Sequence, residues 1–189
     1  DSRWDGELCN RRKDGTPFWC HASVSTFHHP ELGNVWISVH RDVTERRRLE
    51  EQLRRANAFL DSIVENIPDM VFVKDAKDLR FVLFNRAGEE LLGYERAELI
   101  GKTDHDFFPK AEADFFIAND RAVLRDKVLL DVAEEPIATG AHGLRLLHTK
   151  KIPILDERGE PIYLLGISED VTERRQTEQL RERHERTTS

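Results

Sequence analysis

The chain has 189 residues, of which 34% are charged, and its formal net charge is −7. Acidic and basic residues are mixed throughout, so no basic stripe indicates a nucleic-acid-binding protein. No apolar run approaches the ~20 residues that a membrane-spanning helix needs, so a membrane anchor of a longer parent protein would lie outside this segment. Two cysteines without framework spacing predict a reducing, cytoplasmic location.

Residues 1–41 are predicted to form three antiparallel strands, with the third at Val35–His40. Because three strands alone make a poor domain, we interpret them as the C-terminal part of a first domain whose N-terminal part is missing. Asp14-Gly15 predicts a two-residue hairpin turn. That register places Cys9 opposite Cys20 at a hydrogen-bonded pair, where the backbones are far apart, so two free thiols are expected rather than a disulfide.

Residues 42–67 are predicted to form a helix of roughly 35 Å. Asp42 and Thr44 offer N-caps, and Pro68 ends the helix. The apolar residues recur at alternating steps of four and three, which indicates a coiled-coil seam. We interpret the segment as a connecting helix that pairs with its copy in a second chain; the alternative is an ordinary surface helix. The seam residues are Leu49, Leu53, Ala56, Leu60, Ile63 and Ile67.

Residues 68–170 have the pattern of a complete α+β domain. Strands are predicted at Met70–Lys74 and Arg80–Phe84, followed by short helices. A longer helix is predicted at Lys110–Arg125, and three more strands at 127–137, 144–154 and 161–169. This order predicts a five-stranded antiparallel sheet with the helices on one face.

An internal repeat divides the chain. Asp170-Val171-Thr172-Glu173-Arg174-Arg175 has the same six residues as the segment that begins at Asp42. Each copy follows a strand and opens a charged helix, which indicates tandem domains and predicts an exit helix at 171–189. The turns at 12–15 and 156–159 are interpreted as equivalent. We predict a signal-relay role for the polar residues of both copies: Asp42, Thr44, Arg46, Asp170, Thr172 and Arg174.

Three segments resemble PAS sensor domains: 66–75 (NIPDMVFVKD), 84–94 (FNRAGEELLGY) and 99–104 (LIGKTD). The two DVTERR segments resemble the C-terminal PAC motif through which the family leaves its sheet. The resemblance covers nearly the whole chain. It implies a PAS fold in a sensory, non-enzymatic segment of a bacterial or archaeal protein. It also implies a homodimer through linker helices and an output domain elsewhere, usually the histidine kinase of a two-component system or, second, a diguanylate cyclase.

The resemblance argues against haem and flavin cofactors, and no metal site is expected because His21, His28 and His29 lack metal-ligand spacing with the cysteines. Flavin-binding relatives have a cysteine near the long helix, and residues 61–170 contain none; haem-binding relatives place a histidine on that helix, and 110–125 has none. His105 is disfavoured as a haem ligand. A small-molecule pocket is expected instead, with a filled core as the alternative. Its predicted wall is Phe72, Val82, Phe84, Phe107, Phe116, Ile117, Leu124, Leu146, His148 and Ile167.

The sequence leaves three candidate functions for this segment. The favoured one is a relay module, in which Asp170→Ala should uncouple the exit helix without unfolding the sheet. The second is a ligand-free dimerisation spacer. The third, an enzyme that uses Asp104, His105 and Asp106, is disfavoured because it lacks a nucleophile.

Overall fold

A computed structural model describes residues 3–187, so the ends of the predicted segments 1–41 and 171–189 lie outside the described residues. The chain divides into two units, Asp1–Asp61 and Ser62–Ser189, and the division lies within one long helix. No helix in the described part of the chain is both long and apolar enough to cross a bilayer.

The first unit is a three-stranded antiparallel sheet, β1 (Arg3–Arg11), β2 (Pro17–His29) and β3 (Gly33–Asp42), in the order β1-β2-β3. The helix α1 (Thr44–Asn66) follows directly, one residue shorter at its end than the predicted 67.

The turn between β1 and β2 corrects the predicted hairpin. The Arg12 N–H donates to the Thr16 carbonyl over 2.8 Å, and Gly15 is left-handed at φ 87°. Three residues therefore form the loop, because a turn closed by a left-handed glycine needs one more position than the two-residue turn. The shift places Cys9 opposite Trp19 rather than opposite Cys20. Both cysteines are free thiols, as expected.

The second unit confirms the predicted PAS-type architecture, a five-stranded antiparallel sheet with helices. The sheet order is β5-β4-β8-β7-β6. The strands are β4 (Met70–Asp75), β5 (Phe81–Phe84), β6 (Leu130–Thr139), β7 (Gly143–Leu155) and β8 (Pro161–Asp170). The helices are α2 (Arg86–Leu92), α3 (Arg96–Leu99), a 3₁₀ turn at Asp104–Asp106, α4 (Lys110–Asp126) and α5 (Thr172–Thr187).

The core of this unit lies between the sheet and the helices α2 to α4. Side chains alternate across each strand, and Met70 and Phe72 of β4, Leu164 of β8 and Leu147 of β7 are buried against the helices. The Phe72 ring packs directly over Gly166, where any larger residue would clash: a Cβ on Gly166 would lie 2.0 Å from the ring.

The sheets of the two units also show how the internal repeat aligns. β1, β2 and β3 contain 9, 13 and 10 residues, and β6, β7 and β8 contain 10, 13 and 10. Cys20 pairs with Asp42 as Leu147 pairs with Asp170. The turn at 12–15 therefore corresponds to the β6–β7 turn and not to 156–159, since strand length, rather than turn composition, determines the alignment.

Candidate functional site

A small cavity lies between the sheet and the helices of the second unit. Its volume, measured as the space open to the centres of water-sized spheres, is about 30 Å³. Five phenylalanine rings and several aliphatic side chains line it together with four charged residues. The lining residues are Met70, Phe72, Lys74, Phe81, Phe84, Leu92, Asp104, Phe108, Phe116, Glu135, Ile137, Leu147, Lys151 and Ser168.

Four buried charged side chains form a chain of ion pairs at this cavity. Lys74 Nζ donates to Asp104 Oδ1 and Oδ2 over 2.8 and 2.6 Å and to Asp120 Oδ2 over 2.7 Å. Lys151 Nζ donates to Asp120 Oδ1 over 2.6 Å. All four are at most 2% exposed. The order Asp104–Lys74–Asp120–Lys151 alternates in sign, so the four charges compensate one another.

Burial and pairing act against each other on these groups. Burial lowers the pKa of Lys74, but Asp120 and Asp104 outweigh it and hold the pKa above its ordinary value. Burial likewise raises the pKa of Asp120, but Lys74 and Lys151 more than reverse this shift, so the pKa is lowered. For Asp104, which has one cationic partner instead of two, burial dominates and the pKa is raised.

Glu135 of β6 also lines the cavity but does not belong to this chain of ion pairs. It is 5% exposed, and its Oε1 has no hydrogen-bond partner among the described residues. A register shift in the β6–β7 pairing between Val132 and Glu135 turns the side chain toward the interior. A buried acceptor without a donor destabilises a fold, so this carboxylate is the unsatisfied group of the cavity.

Phe72, Phe84 and Phe116 are the predicted wall residues that the structure brings together at the cavity. It corrects the placement of seven others: Val82, Phe107, Ile117, Leu124, Leu146, His148 and Ile167 do not line it. Leu146, His148 and Ile167 lie on the opposite side of their strands from the inward Leu147 and Ser168. The prediction assigned inward positions by hydrophobicity, and a one-residue shift moves every side chain of a strand to the other face.

The misplaced residues have other partners. His148 Nε2 lies 2.6 Å from Asp131 Oδ1, and Val82 is 45% exposed. Phe107 packs against Tyr94 with ring centroids 5.0 Å apart, while Leu124 belongs to the core.

Sequence reasoning missed four charged site residues: Lys74, Asp120, Glu135 and Lys151. For all but Glu135, the sequence contains a detectable signal, a charged residue at an apolar position of a strand or helix. Lys74 shares a strand face with Met70 and Phe72, and Asp120 follows Phe116 by four residues on the apolar stripe of α4. A charged residue at an interior position needs a buried partner, which could have drawn attention to these residues. Lys151 alternates with Leu147 in the same way.

The residues of the disfavoured enzymatic site do not converge. Asp104 is held by Lys74, His105 Nε2 lies 3.3 Å from Asp114, and Asp106 accepts from the Thr103 backbone over 2.8 Å.

The entrance of α5 is joined to β7 by the second DVTERR segment. The Leu146 N–H donates to Thr172 Oγ1 over 2.9 Å, and the Val171 N–H donates to the Leu146 carbonyl over 2.9 Å. Asp170 Oδ1 accepts from the Thr172 N–H over 3.0 Å and from its hydroxyl over 2.5 Å. The helix start is thus attached to the backbone of one residue, Leu146.

The first DVTERR segment makes the same connection. The Trp19 N–H donates to Thr44 Oγ1 over 2.9 Å, and the Val43 N–H donates to the Trp19 carbonyl over 2.8 Å. Asp42 Oδ1 accepts from the Thr44 N–H over 2.9 Å. The Thr44 side chain and then the Thr44 N–H lower the pKa of Asp42 to about 2, with a contribution from the Arg12 guanidinium. The same sequence therefore makes the same three backbone connections in both units. The hydroxyls differ: that of Thr172 donates to Asp170, and that of Thr44 donates to the Trp19 carbonyl over 3.4 Å.

Of the other predicted relay residues, both arginines are paired locally. Arg46 donates to Glu7 over 2.6 Å and to Glu50 over 2.8 Å. Arg174 lies 3.3 Å from Glu169.

The predicted seam of α1 is exposed in the single chain. Leu53 is 63% exposed and Leu60 57%, and Leu49, Ala56 and Ile63 are also exposed. Ile67 is half-buried and follows the end of the helix. α1 buries no residue within the described chain.

Comparison with known families assigns both units. The PAS fold family matches residues 64–176, and the PAS domain family matches residues 1–45. The chain is similar to protein y4lL of Sinorhizobium fredii, with 38% identity over 71% of this chain. It is also similar to the methanogenesis regulatory histidine kinase FilI of Methanothrix harundinacea, with 27% identity over 76%, and to a diguanylate cyclase of Vibrio cholerae, with 32% over 68%. It spans 16%, 16% and 40% of these relatives.

Solved structures agree with the fold. The PAS domain of an HTR-like protein from Haloarcula marismortui aligns with a TM-score of 0.52 and 24% identity, covering 66% of this chain and 98% of that one. A structure of VqmA bound to DPO aligns with a TM-score of 0.52 and 27% identity over 59% of this chain and 55% of that one. With its five-stranded sheet, its matched families and these neighbours, the chain belongs to the PAS family of sensor domains.

Proposed function

We propose that this segment is a non-catalytic relay module. The state of the cavity in the second unit biases the position of the exit helix α5, and α5 passes that bias to an output domain outside the segment. We assign residues 68–170 as the sensing domain, 42–67 as the linker helix and 171–189 as the exit helix. Residues 1–41 supply the upstream PAS strands. The location is proposed to be cytoplasmic.

One observation carries the proposal: the cavity wall and the helix joint are neighbouring residues of β7. Leu147 lines the cavity, and the adjacent Leu146 holds Val171 and Thr172 through its own backbone N–H and C=O. A displacement of β7 at the cavity therefore reaches α5 without an intermediate element. A ligand shifts such an equilibrium only if it binds one arrangement better than the other.

The exposed seam of α1 supports a homodimer through the linker helices, and we propose parallel pairing because a relay through a symmetric dimer favours it. Five exposed seam residues follow the alternating spacing of a coiled coil, and burying them against a second copy would remove apolar area from water. Such a dimer would give the relay two copies of each helix to move against each other.

The relatives support two output types. FilI is a histidine kinase, and the Vibrio cholerae relative is a diguanylate cyclase. We propose a histidine kinase of a two-component system as the output and a diguanylate cyclase as the alternative. VqmA was solved bound to DPO, which supports a small-molecule stimulus for this chain without naming it.

The small cavity favours one competing function, a dimerisation spacer with a filled core. About 30 Å³ holds roughly two water molecules, since one water needs about 10–15 Å³ by this measure. The spacer makes the same seam but responds to no ligand.

Thr172→Val tests the relay in the full-length protein. Valine keeps the shape of threonine but removes the acceptor of the Leu146 N–H. The expected result is an output that no longer responds to the stimulus, while the sheet keeps its circular dichroism.

Thr177→Val on the same helix is the matched control, because the Thr177 hydroxyl donates within α5, to the Glu173 carbonyl over 2.9 Å. Unchanged regulation in the Thr172→Val protein would refute the proposal. Equal loss in both variants would refute it too, since the effect would then belong to the helix rather than to the joint.

A further inference from the structure

Two groups at the cavity of the second unit have unused hydrogen-bonding capacity, one as an acceptor and the other as a donor. Glu135 Oε1 is an acceptor without a donor. Lys151, among the described residues, donates only to Asp120, so two of its three N–H donors are unused. The other two carboxylates already have donors on both oxygens. Lys74 donates to both oxygens of Asp104, and Lys74 and Lys151 each donate to one oxygen of Asp120.

The PAS sheet itself does not require these side chains. In the first unit Leu8 pairs with Cys20, as Glu135 pairs with Leu147 in the second. Val24, four residues after Cys20, occupies the position of Lys151. Both positions are apolar in the first unit and charged in the second. We therefore attribute the charged side chains to the function of the second unit and not to the formation of its sheet.

The cavity also limits the size and shape of a ligand. Its volume is that of roughly two water molecules. A ligand of about four heavy atoms would occupy the same space. Phenylalanine rings form much of the wall, including Phe81 and Phe116. Aromatic faces pack well against flat groups.

We propose that the cavity binds a small, flat, uncharged molecule with an amide-like edge, whose oxygen accepts from Lys151 and whose N–H donates to Glu135. This assignment rests on the proposed sensory function and names the ligand class of that site. A carboxylate of the same shape places a second negative charge beside Glu135. An amidinium balances the charge of Glu135 but has only N–H donors, so it offers Lys151 no acceptor. The amide satisfies both unused groups and adds no charge to bury.

Acetamide, acetate and acetamidinium test the class directly. Each has four heavy atoms in the same planar arrangement, and they differ only in donors, acceptors and charge. Binding to the full 189-residue chain is followed by the ¹H–¹⁵N chemical shifts of Glu135, Leu147 and Ser168. The expected result is millimolar binding of acetamide, at least tenfold tighter than either ion. A four-atom ligand binds no tighter than roughly 40 µM.

Glu135→Leu copies the first unit and removes the acceptor. Acetamide affinity is expected to fall about tenfold or more, while the melting temperature of the ligand-free protein stays or rises, because an unsatisfied carboxylate leaves the interior. Glu134→Leu makes the same change at a half-exposed neighbour and should leave binding unchanged. Glu135→Gln is the second variant should Glu135→Leu not fold, and a neutral acceptor should weaken binding roughly threefold to tenfold.

Three results would overturn the assignment. The first is the absence of chemical-shift changes with acetamide at about 100 mM, a concentration at which a four-atom ligand saturates a site that fits it. The others are an ion that binds as tightly as acetamide and an unchanged acetamide affinity in the Glu135 variants. Thr172→Val is expected to bind acetamide normally, because Thr172 does not line the cavity. A wrong ligand class and a failed relay therefore give different results.

Discussion

Replacing Lys74 by methionine tests whether the buried ion pairs hold the second unit together. Methionine is unbranched and close to lysine in length but cannot donate. Both oxygens of Asp104 therefore lose the one side-chain donor they have among the described residues, while Asp120 keeps Lys151. Removing one partner of a buried pair typically destabilises a protein by about 3–5 kcal/mol. At about 4 °C per kcal/mol for a domain of this size, the melting temperature should fall by about 12–20 °C.

The assay exploits the placement of the tryptophans. All three, Trp4, Trp19 and Trp36, belong to the first unit, so their fluorescence during urea unfolding is an internal control. Far-UV circular dichroism follows both units, and its second-unit transition should move to lower urea while the fluorescence transition stays. The double variant Lys74→Met with Asp104→Leu removes both partners and should recover most of the loss.

The pH dependence provides an independent check. Burial already raises the pKa of Asp104, and without Lys74 it rises further. A carboxyl whose pKa is higher in the folded than in the unfolded state favours folding at low pH and loses this contribution as pH rises. The deficit of Lys74→Met should therefore shrink from pH 7 to pH 5. A loss below about 1 kcal/mol at pH 7, the value of an exposed pair, would contradict the reasoning.

Three further predictions follow from the joints, the seam and the packing. Leu53→Glu should convert a dimer to a monomer in light scattering, with Gln52→Glu, exposed beside it, as control. Gly166→Ala should lower the second-unit melting temperature by about 4–12 °C, because the new Cβ meets the Phe72 ring and overpacking costs about 1–3 kcal/mol. The lowered pKa of Asp42, about 2, keeps its cap on Thr44 ionised, so the Thr44 amide resonance should not shift between pH 5 and pH 3.

Each of these has a clear contrary result. A monomeric unmodified chain, or a dimer that survives Leu53→Glu, would remove the seam from the relay. A Gly166→Ala protein with unchanged stability would mean that Phe72 moves freely. A Thr44 amide that titrates near pH 4 would show that Asp42 behaves as an ordinary exposed carboxyl, since its cap would then be lost as pH falls through that value.

Local patterns explain why the fold was predictable. The alternating strands, the seam spacing of residues 42–67 and the six-residue repeat all reflect periods set by the backbone itself. The cap at Asp42 and Thr44 also follows from sequence, because a capping aspartate two residues before a threonine acts over one turn of chain. The PAS fold, the order of elements and this local cap could therefore be predicted, whereas the bonds that attach each helix start to Trp19 and Leu146 join residues 25 and 26 positions apart.

The face that each strand turns to the core was decided only by tertiary structure. Leu146 is more hydrophobic than Lys151, yet Lys151 faces the interior because Asp120, 31 residues away on α4, neutralises it there. The same holds for Lys74, whose partners Asp104 and Asp120 lie 30 and 46 residues along the chain. A buried charge is stable only beside partners that folding brings to it, and no local period records that proximity. The sequence alone determined the architecture and the local helix caps. The attachment of each helix start to a neighbouring strand and the polar interior, with Glu135 left unsatisfied, came from the assembled fold.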